Sequence, residues 1–302
     1  MADDTGRTRG LPRWPYVAAN LARAAFWSLL VLILVLQVFA SGSQDTARTD
    51  VLRRFEQERG SRVIALIHRQ DTASVLGVPV ASSISIEDSE ALLRAIRLTP
   101  PEQPIDIILH TPGGLVLASE QIARALLERK AKVTAFVPHY AMSGGTLIAL
   151  AAHEIVMDSN AVLGPVDPQI GSLPAASIVR AADLKGAHAE DQLLVLADMA
   201  RKSRAQVGAF VARLLEKHMG AEQAQKLAIT LSEGRWTHDY GITADVARGF
   251  GLNVTTAVPR TVYELMDLYP QGAGRRPSVL YTPVRTPPEL GPPASAAPRN
   301  TP

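Results

Sequence analysis

Apolar residues are distributed along this chain in two distinct patterns. The first is a charge-free run from Ala24 to Ala40, broken only by Ser28 and Gln37, whose centre is Leu29-Leu-Val-Leu-Ile-Leu-Val-Leu36. That length reaches the lower edge of the ~17 to 25 residues a membrane-spanning helix needs. The second begins at Ser61, where short β-branched runs alternate with stretches apolar at helical spacing, the signature of an α/β domain. Strands are predicted over Arg62 to His68, Ile105 to His110, Lys132 to Val137 and Glu154 to Met157. Helices are predicted over Ile86 to Ile96, Ser119 to Arg129, Ser143 to Ala152, Asp191 to His218 and Ala221 to Leu231.

These patterns divide the chain into a polar N-terminal segment (1–23), an anchor (24–40), an α/β domain (61–269) and a tail (270–302). The tail is dense in proline, including Pro283, Pro287, Pro288, Pro292 and Pro293, and has no helical or strand period, which predicts little regular structure. Val38-Phe-Ala40 before Ser41 loosely resembles a signal-peptidase site. The apolar run nevertheless exceeds the ~7 to 15 residues of a signal peptide, which favours a retained single-pass anchor. Arg7, Arg9, Arg13 and Arg23 precede it and Arg48, Arg53, Arg54 and Arg59 follow it, so positive charge is balanced across the span. Arg23, abutting the span, tilts the expectation toward a cytoplasmic N-terminus and an extracytoplasmic domain.

Composition then narrows the chemistry. The formal net charge is only +2 and the 31 Lys and Arg are dispersed, so no basic stripe for nucleic acid exists. The chain has no cysteine, which removes disulfides, thiolate metal sites and a cysteine nucleophile. No His-Glu-x-x-His helix and no Gly-x-x-x-x-Gly-Lys-Ser/Thr loop occur, so neither a catalytic metal nor ATP is expected, and no cofactor.

Two glycine-rich turns remain. His110-Thr-Pro-Gly-Gly114 follows a strand and leads into a helix. Paired glycines there let the backbone turn sharply and aim amide N–H groups at a ligand, as an oxyanion hole requires. Tyr140-Ala-Met-Ser-Gly-Gly-Thr146 also follows a strand and opens an apolar helix. A serine at a helix start either caps the helix or serves as a nucleophile. Gly144 and Gly145 add nothing to a cap, but they clear room for a substrate carbonyl, and the Gly144 N–H can donate to its oxyanion.

The glycine pair at 113 and 114, followed further along by Ala-Met-Ser-Gly-Gly, resembles the Clp protease and signal peptide peptidase A superfamily. His110 to Gly171, including Gly164-Pro-Val-Asp-Pro-Gln169, together with Gly234-Arg-Trp-Thr-His-Asp-Tyr240, is similar to the serine dehydrogenase proteinase family. The resemblance covers Val63 to Tyr281. It implies an α/β fold of the Clp/crotonase type, a spiral of β-β-α units, here preceded by one transmembrane helix. It also implies peptide-bond hydrolysis with Ser143 as nucleophile, the amides of Gly114 and Gly144 as oxyanion donors, and a homo-oligomer acting on peptides or on unfolded or membrane proteins. The dehydrogenase in the family name reads as a substrate, since no Gly-x-Gly-x-x-Gly fingerprint is present.

The base is left open between two residues. Lys185 lies downstream of Ser143, just before the long helix predicted from Asp191, in a position similar to the lysine base of signal peptide peptidase A. His238, with Asp167 as the acid, would complete the Ser-Asp-His order proposed for the serine dehydrogenase proteinases. Clp proteases carry their histidine in the segment that follows the serine helix; the equivalent place in this chain reads Val166-Asp-Pro-Gln169 and holds no histidine. His110 and His139 stand near the glycine motifs as weaker candidates. Two readings compete with a peptidase: a crotonase-type acyl-CoA enzyme, which needs no serine at 143, and a membrane scaffold or chaperone-like relative without hydrolysis.

Overall fold

The computed structural model describes residues 14–68, 73–75, 78–80 and 83–269, with the side chains of 14–19, 34–43 and 73–80 left outside that description. The chain starts with a long helix, α1 (Trp14–Arg59). Strand β1 (Arg62–Ile67) follows, then a hairpin of β2 (Ala73–Val75) and β3 (Val78–Val80). Next come α2 (Ile86–Leu98), β4 (Ile105–His110), α3 (Val116–Leu127), β5 (Val133–Val137), β6 (Tyr140–Ala141) and α4 (Gly144–Leu150). After them run β7 (Glu154–Met157), β8 (Val162–Leu163), β9 (Gln169–Ile170), β10 (Leu173–Pro174), α5 (Ala175–Lys185), α6 (Asp191–Leu215) and α7 (Ala221–Ser232). The described part closes with β11 (Ile242–Thr243), α8 (Ala244–Gly249), β12 (Val254–Thr255) and α9 (Arg260–Asp267).

The main sheet is five-stranded and parallel, in the order β1-β4-β5-β7-β12. Its strands read as nearly continuous apolar runs because helices cover both faces. Alternate residues still divide between two cores. Ile105, Ile107 and Leu109 of β4 and Val133, Ala135 and Val137 of β5 face the core shared with α2, α3, α4, α6 and α7. Val63, Ile108, Phe136 and Val156 face the opposite side, where Phe55 of α1 and Val262 and Leu265 of α9 close the layer. On that side Asp106 is buried, and it receives hydrogen bonds from Arg59 Nε and Ser61 Oγ, both at 2.8 Å. This tie joins the end of α1 to the centre of the sheet.

A second layer of pairing makes the β-β-α repeat visible. After β1 the chain reaches Ile84, which bridges Gly114; after β4, Thr111 bridges Ala141; after β5, β6 pairs β8; and β8 in turn pairs β11. Three of these crossings lead into a helix, α2, α3 and α4. Each unit therefore hands its short second strand to the next, which is how both glycine turns come to lie side by side.

Three sequence expectations need adjustment. The helix after His110 begins at Val116 rather than Ser119, because Leu115 donates its N–H to Ile84 O at 2.9 Å and can start the turn there. Helix α1 is continuous for 46 residues and runs past the expected 24–40 anchor to the domain itself. Among the described residues no helix is long and apolar enough to cross a membrane; the side chains of 34–43, which include part of that anchor, fall outside them. The proline-rich tail likewise lies outside the described residues.

Candidate active site

Ser143 sits at the N-cap of α4 with φ +50° and ψ −114°, and its side chain makes no capping hydrogen bond. It is the one non-glycine residue with positive φ among those described. Such a conformation costs on the order of 1–3 kcal/mol and persists only where the surroundings impose it. The surroundings are plain. Thr111 donates its N–H to Tyr140 O (3.2 Å) and accepts from Met142 N (3.0 Å), pinning the strand just before the serine. Buried Thr146, one turn later, has its hydroxyl 2.8 Å from Ala141 O and accepts from Gly164 N at 3.0 Å. The capping reading of this serine is thereby excluded, and its side chain is released toward the cleft.

The glycines are there because backbone passes too close for a side chain. A Cβ on Gly113 would lie 2.8 Å from Ser143 Cβ and 3.0 Å from Gly144 N, and one on Gly114 would lie 2.3 Å from Ile84 N. A Cβ on Gly144 would lie 3.5 Å from Gly114 N. The two amides are therefore neighbours. The Ile84 bridge uses Gly113 O (2.7 Å) and Leu115 N, leaving the Gly114 N–H outside it. As the first residue of α4, Gly144 has no intrahelical acceptor for its own N–H. Two such donors flank the serine, the arrangement an oxyanion requires.

A cavity of about 240 Å³ opens over this point, and Ser143, Gly114, Gly144, Asp167, Gln169 and His238 all line it. Asp167 is buried, and its Oδ1 stands 2.8 Å from His238 Nδ1. Its other oxygen accepts from Gln169 Nε2 at 2.7 Å. Gln169 Nε2 also lies 3.2 Å from His238 Nδ1. A ring nitrogen that donates to Asp167 cannot accept from Gln169, so the amide proton goes to the carboxylate. Nε2 of His238 is then the nitrogen left for the cleft. Leu147, Val166, Val116 and Val207 supply the apolar wall.

A family model for ClpP-like SDH-type serine proteinases matches residues 17–291. The chain belongs to this family. Two proteins of Methanocaldococcus jannaschii without assigned function are similar to it. One is 56% identical over 237 residues, covering 78% of this chain and 81% of the relative; the other is 52% identical over 267 residues, covering 88% and 93%. Among solved structures, an alanine variant of the membrane-bound stomatin-specific protease 1510-N is similar at TM-score 0.40 and 23% identity, covering 62% of this chain and 79% of that one. ClpP1 from Listeria monocytogenes is similar at TM-score 0.42 and 16% identity, covering 68% and 96%.

The candidates for the base stand in different surroundings in this fold. His238 and Asp167, 71 residues apart, are brought into contact. Lys185, the last residue of α5, is exposed and does not line the cavity. His110 is buried and packs its ring 4.4 Å from that of Tyr140, and His139 is exposed; neither lines the cavity. Gln169 and Thr111 were missed by the sequence reading. The Asp-Pro-Gln spacing that puts Gln169 beside Asp167 was the available signal for the first; for Thr111 no local signal existed.

Proposed function

We propose that the protein is a membrane-anchored serine endopeptidase working through a Ser143-His238-Asp167 triad. The convergence of these residues and the Gly114 and Gly144 amides on one cavity is the observation that carries this reading. Ser143 Oγ attacks the scissile carbonyl carbon while His238 Nε2 takes its proton, and the carbonyl oxygen becomes an oxyanion held by the two amides. Asp167 keeps the imidazole oriented through Nδ1 and stabilises its charged form. The imidazolium then protonates the leaving amine as the C–N bond breaks. Water, deprotonated by the same nitrogen, releases the acyl group from Ser143. Peptides and unfolded or membrane-protein segments are the substrates we assign to this cleft with its apolar wall.

Anchoring is supported by α1, where Leu21, Phe26, Trp27, Leu29, Val31 and Leu32 all expose more than half of their surface. Exposed apolar side chains in that density suit lipid better than water. With Arg23 at the start of the run, the domain lies on the extracytoplasmic side. Exposed Leu184, Val195 and Met199 on α5 and α6 support a homo-oligomer.

The test is hydrolysis of a quenched fluorescent peptide by the full chain. Ser143→Ala and His238→Ala should each lose about 10³-fold or more in kcat, with Lys185→Ala unchanged. Cleavage by Ser143→Ala at the wild-type rate would transfer the protein to the scaffold reading. A dead Lys185→Ala beside an active His238→Ala would reassign the base.

A further inference from the structure

The strongest unexplained feature is a closed ring of hydrogen bonds beneath the Gly113-Gly114 turn. His68, at the end of β1, is 7% exposed in its side chain. Its Nδ1 lies 2.7 Å from Thr111 Oγ1, and its Nε2 lies 3.3 Å from Asp88 Oδ2. Thr111 Oγ1 in turn accepts from Gly113 N at 3.1 Å. Asp88 also accepts from Ser85 N (2.8 Å) and Ser85 Oγ (2.9 Å), forming the capping box of α2. Ile84, the residue before that cap, donates its N–H to Gly113 O at 2.7 Å. The ring therefore runs from Gly113 through Thr111, His68, Asp88, Ser85 and Ile84 back to Gly113.

The donor and acceptor roles follow from the partners. A carboxylate only accepts, so His68 Nε2 carries the proton toward Asp88 and Nδ1 offers its lone pair. The Thr111 hydroxyl must then donate to Nδ1, and its oxygen is free to accept the Gly113 N–H. Without the imidazole the hydroxyl would be free to rotate toward its alternative acceptor, Gly113 O at 3.4 Å. That carbonyl already accepts from Ile84 and has a second lone pair for the hydroxyl, so the rotation is open to it, and the Thr111 oxygen that receives the Gly113 N–H would lose its fixed orientation.

We propose that His68 is a positioning residue for catalysis. It orients the Thr111 hydroxyl, and through it the Gly113-Gly114 turn, so that the Gly114 N–H points at the oxyanion. The inference rests on the oxyanion-hole reading above. His68 does not line the cavity, and its effect lies in the transition state rather than in substrate binding, because the oxyanion exists only there.

The experiment compares wild type, His68→Ala, His68→Gln, Thr111→Val, Thr111→Ser and Ser143→Ala as full chains, with circular dichroism confirming that each is folded. Two readouts are taken: kcat and KM on a quenched peptide, and the rate of labelling by a fluorophosphonate. In the labelling, Ser143 Oγ bonds to phosphorus, fluoride leaves, the proton goes to the base, and the phosphonyl oxygen takes the oxyanion position. His68→Ala and Thr111→Val should lower kcat and the labelling rate by about 10- to 100-fold, less than the roughly 10²–10³ for losing a donor outright, with KM within about twofold. His68→Gln, which can donate to Asp88 and accept from Thr111, and Thr111→Ser, which keeps the hydroxyl, should each recover most of that loss. The proposal falls if folded His68→Ala retains wild-type kcat, if the loss appears in KM alone, or if Thr111→Ser is as impaired as Thr111→Val. A fully active Ser143→Ala would overturn the underlying reading instead.

Discussion

At the scale of single residues, Ser143 carries both the proposed chemistry and a local cost. Its positive φ is a conformation that glycine adopts freely and alanine does not. Ser143→Gly should therefore be more stable than Ser143→Ala, by about 1 kcal/mol, with both inactive. Chemical denaturation of the two variants measures this directly. Equal midpoints would mean that the backbone at 143 is not strained and that the turn is held for some other reason. The neighbouring glycines answer to a different constraint. Gly114 and Gly145 stand where a Cβ would collide with Ile84 backbone and the Thr111 methyl, at 2.3 and 2.6 Å. Replacing either would push the two turns apart rather than merely stiffen one of them.

At the scale of elements, the join between α4 and α6 holds a titratable group that opposes acid stability. His218 follows α6 and is half-buried; His153 follows α4, and the two rings are 6.3 Å apart. Burial first, and then the neighbouring His153, lower the His218 pKa, against a backbone hydrogen bond to Leu150 that raises it. A histidine harder to protonate when folded than when unfolded leaves stability intact above its unfolded value, about 6.5. Stability is lost as pH falls from there through the folded value, because the unfolded chain binds the proton more readily. Wild type should thus lose more stability between pH 7.5 and 5 than His218→Gln does, as read by urea midpoints. Parallel losses in the two proteins would remove His218 from the account.

At the scale of the whole molecule, α1 has two parts of different character. The C-terminal part of α1 is a domain element: Phe55 is fully buried against Phe136, their ring centres 5.4 Å apart, and Arg48 Nε donates to Leu268 O at 3.0 Å. Among the described side chains, those from Leu21 to Ile33 take no part in the domain cores, and the large apolar ones are exposed. If the proposed anchor holds, the continuous helix joining the two parts would set the distance of the cleft from the bilayer. The full chain should accordingly stay in the membrane pellet after alkaline carbonate extraction, whereas a chain starting at residue 44 should be released and still fold. Release of the full chain by carbonate would argue against the anchor.

Several of these features were legible in the residues alone. Strands β1, β4, β5 and β7 and the helices α2, α6 and α7 emerge within a few residues of their final bounds, because an apolar run or an apolar face identifies its own element. The two glycine turns and Ser143 were legible for the same reason: a motif that must make a sharp turn carries its glycines with it. Short strands such as β6, β8 and β11 were not, since two residues have no period and exist only by pairing with a neighbour supplied by the fold. The base belonged to the same class. Lys185 and His238 were equivalent as letters, and spacing along a chain does not say which side chain faces Ser143. Tertiary structure buries Asp167 beside His238 and leaves Lys185 at an exposed helix end, and the proposed triad rests on that placement. The ring through His68 and Thr111 was out of reach of any motif, because it joins separate segments of the chain, and only the packing of β1, α2 and β4 brings their donors and acceptors within bonding distance.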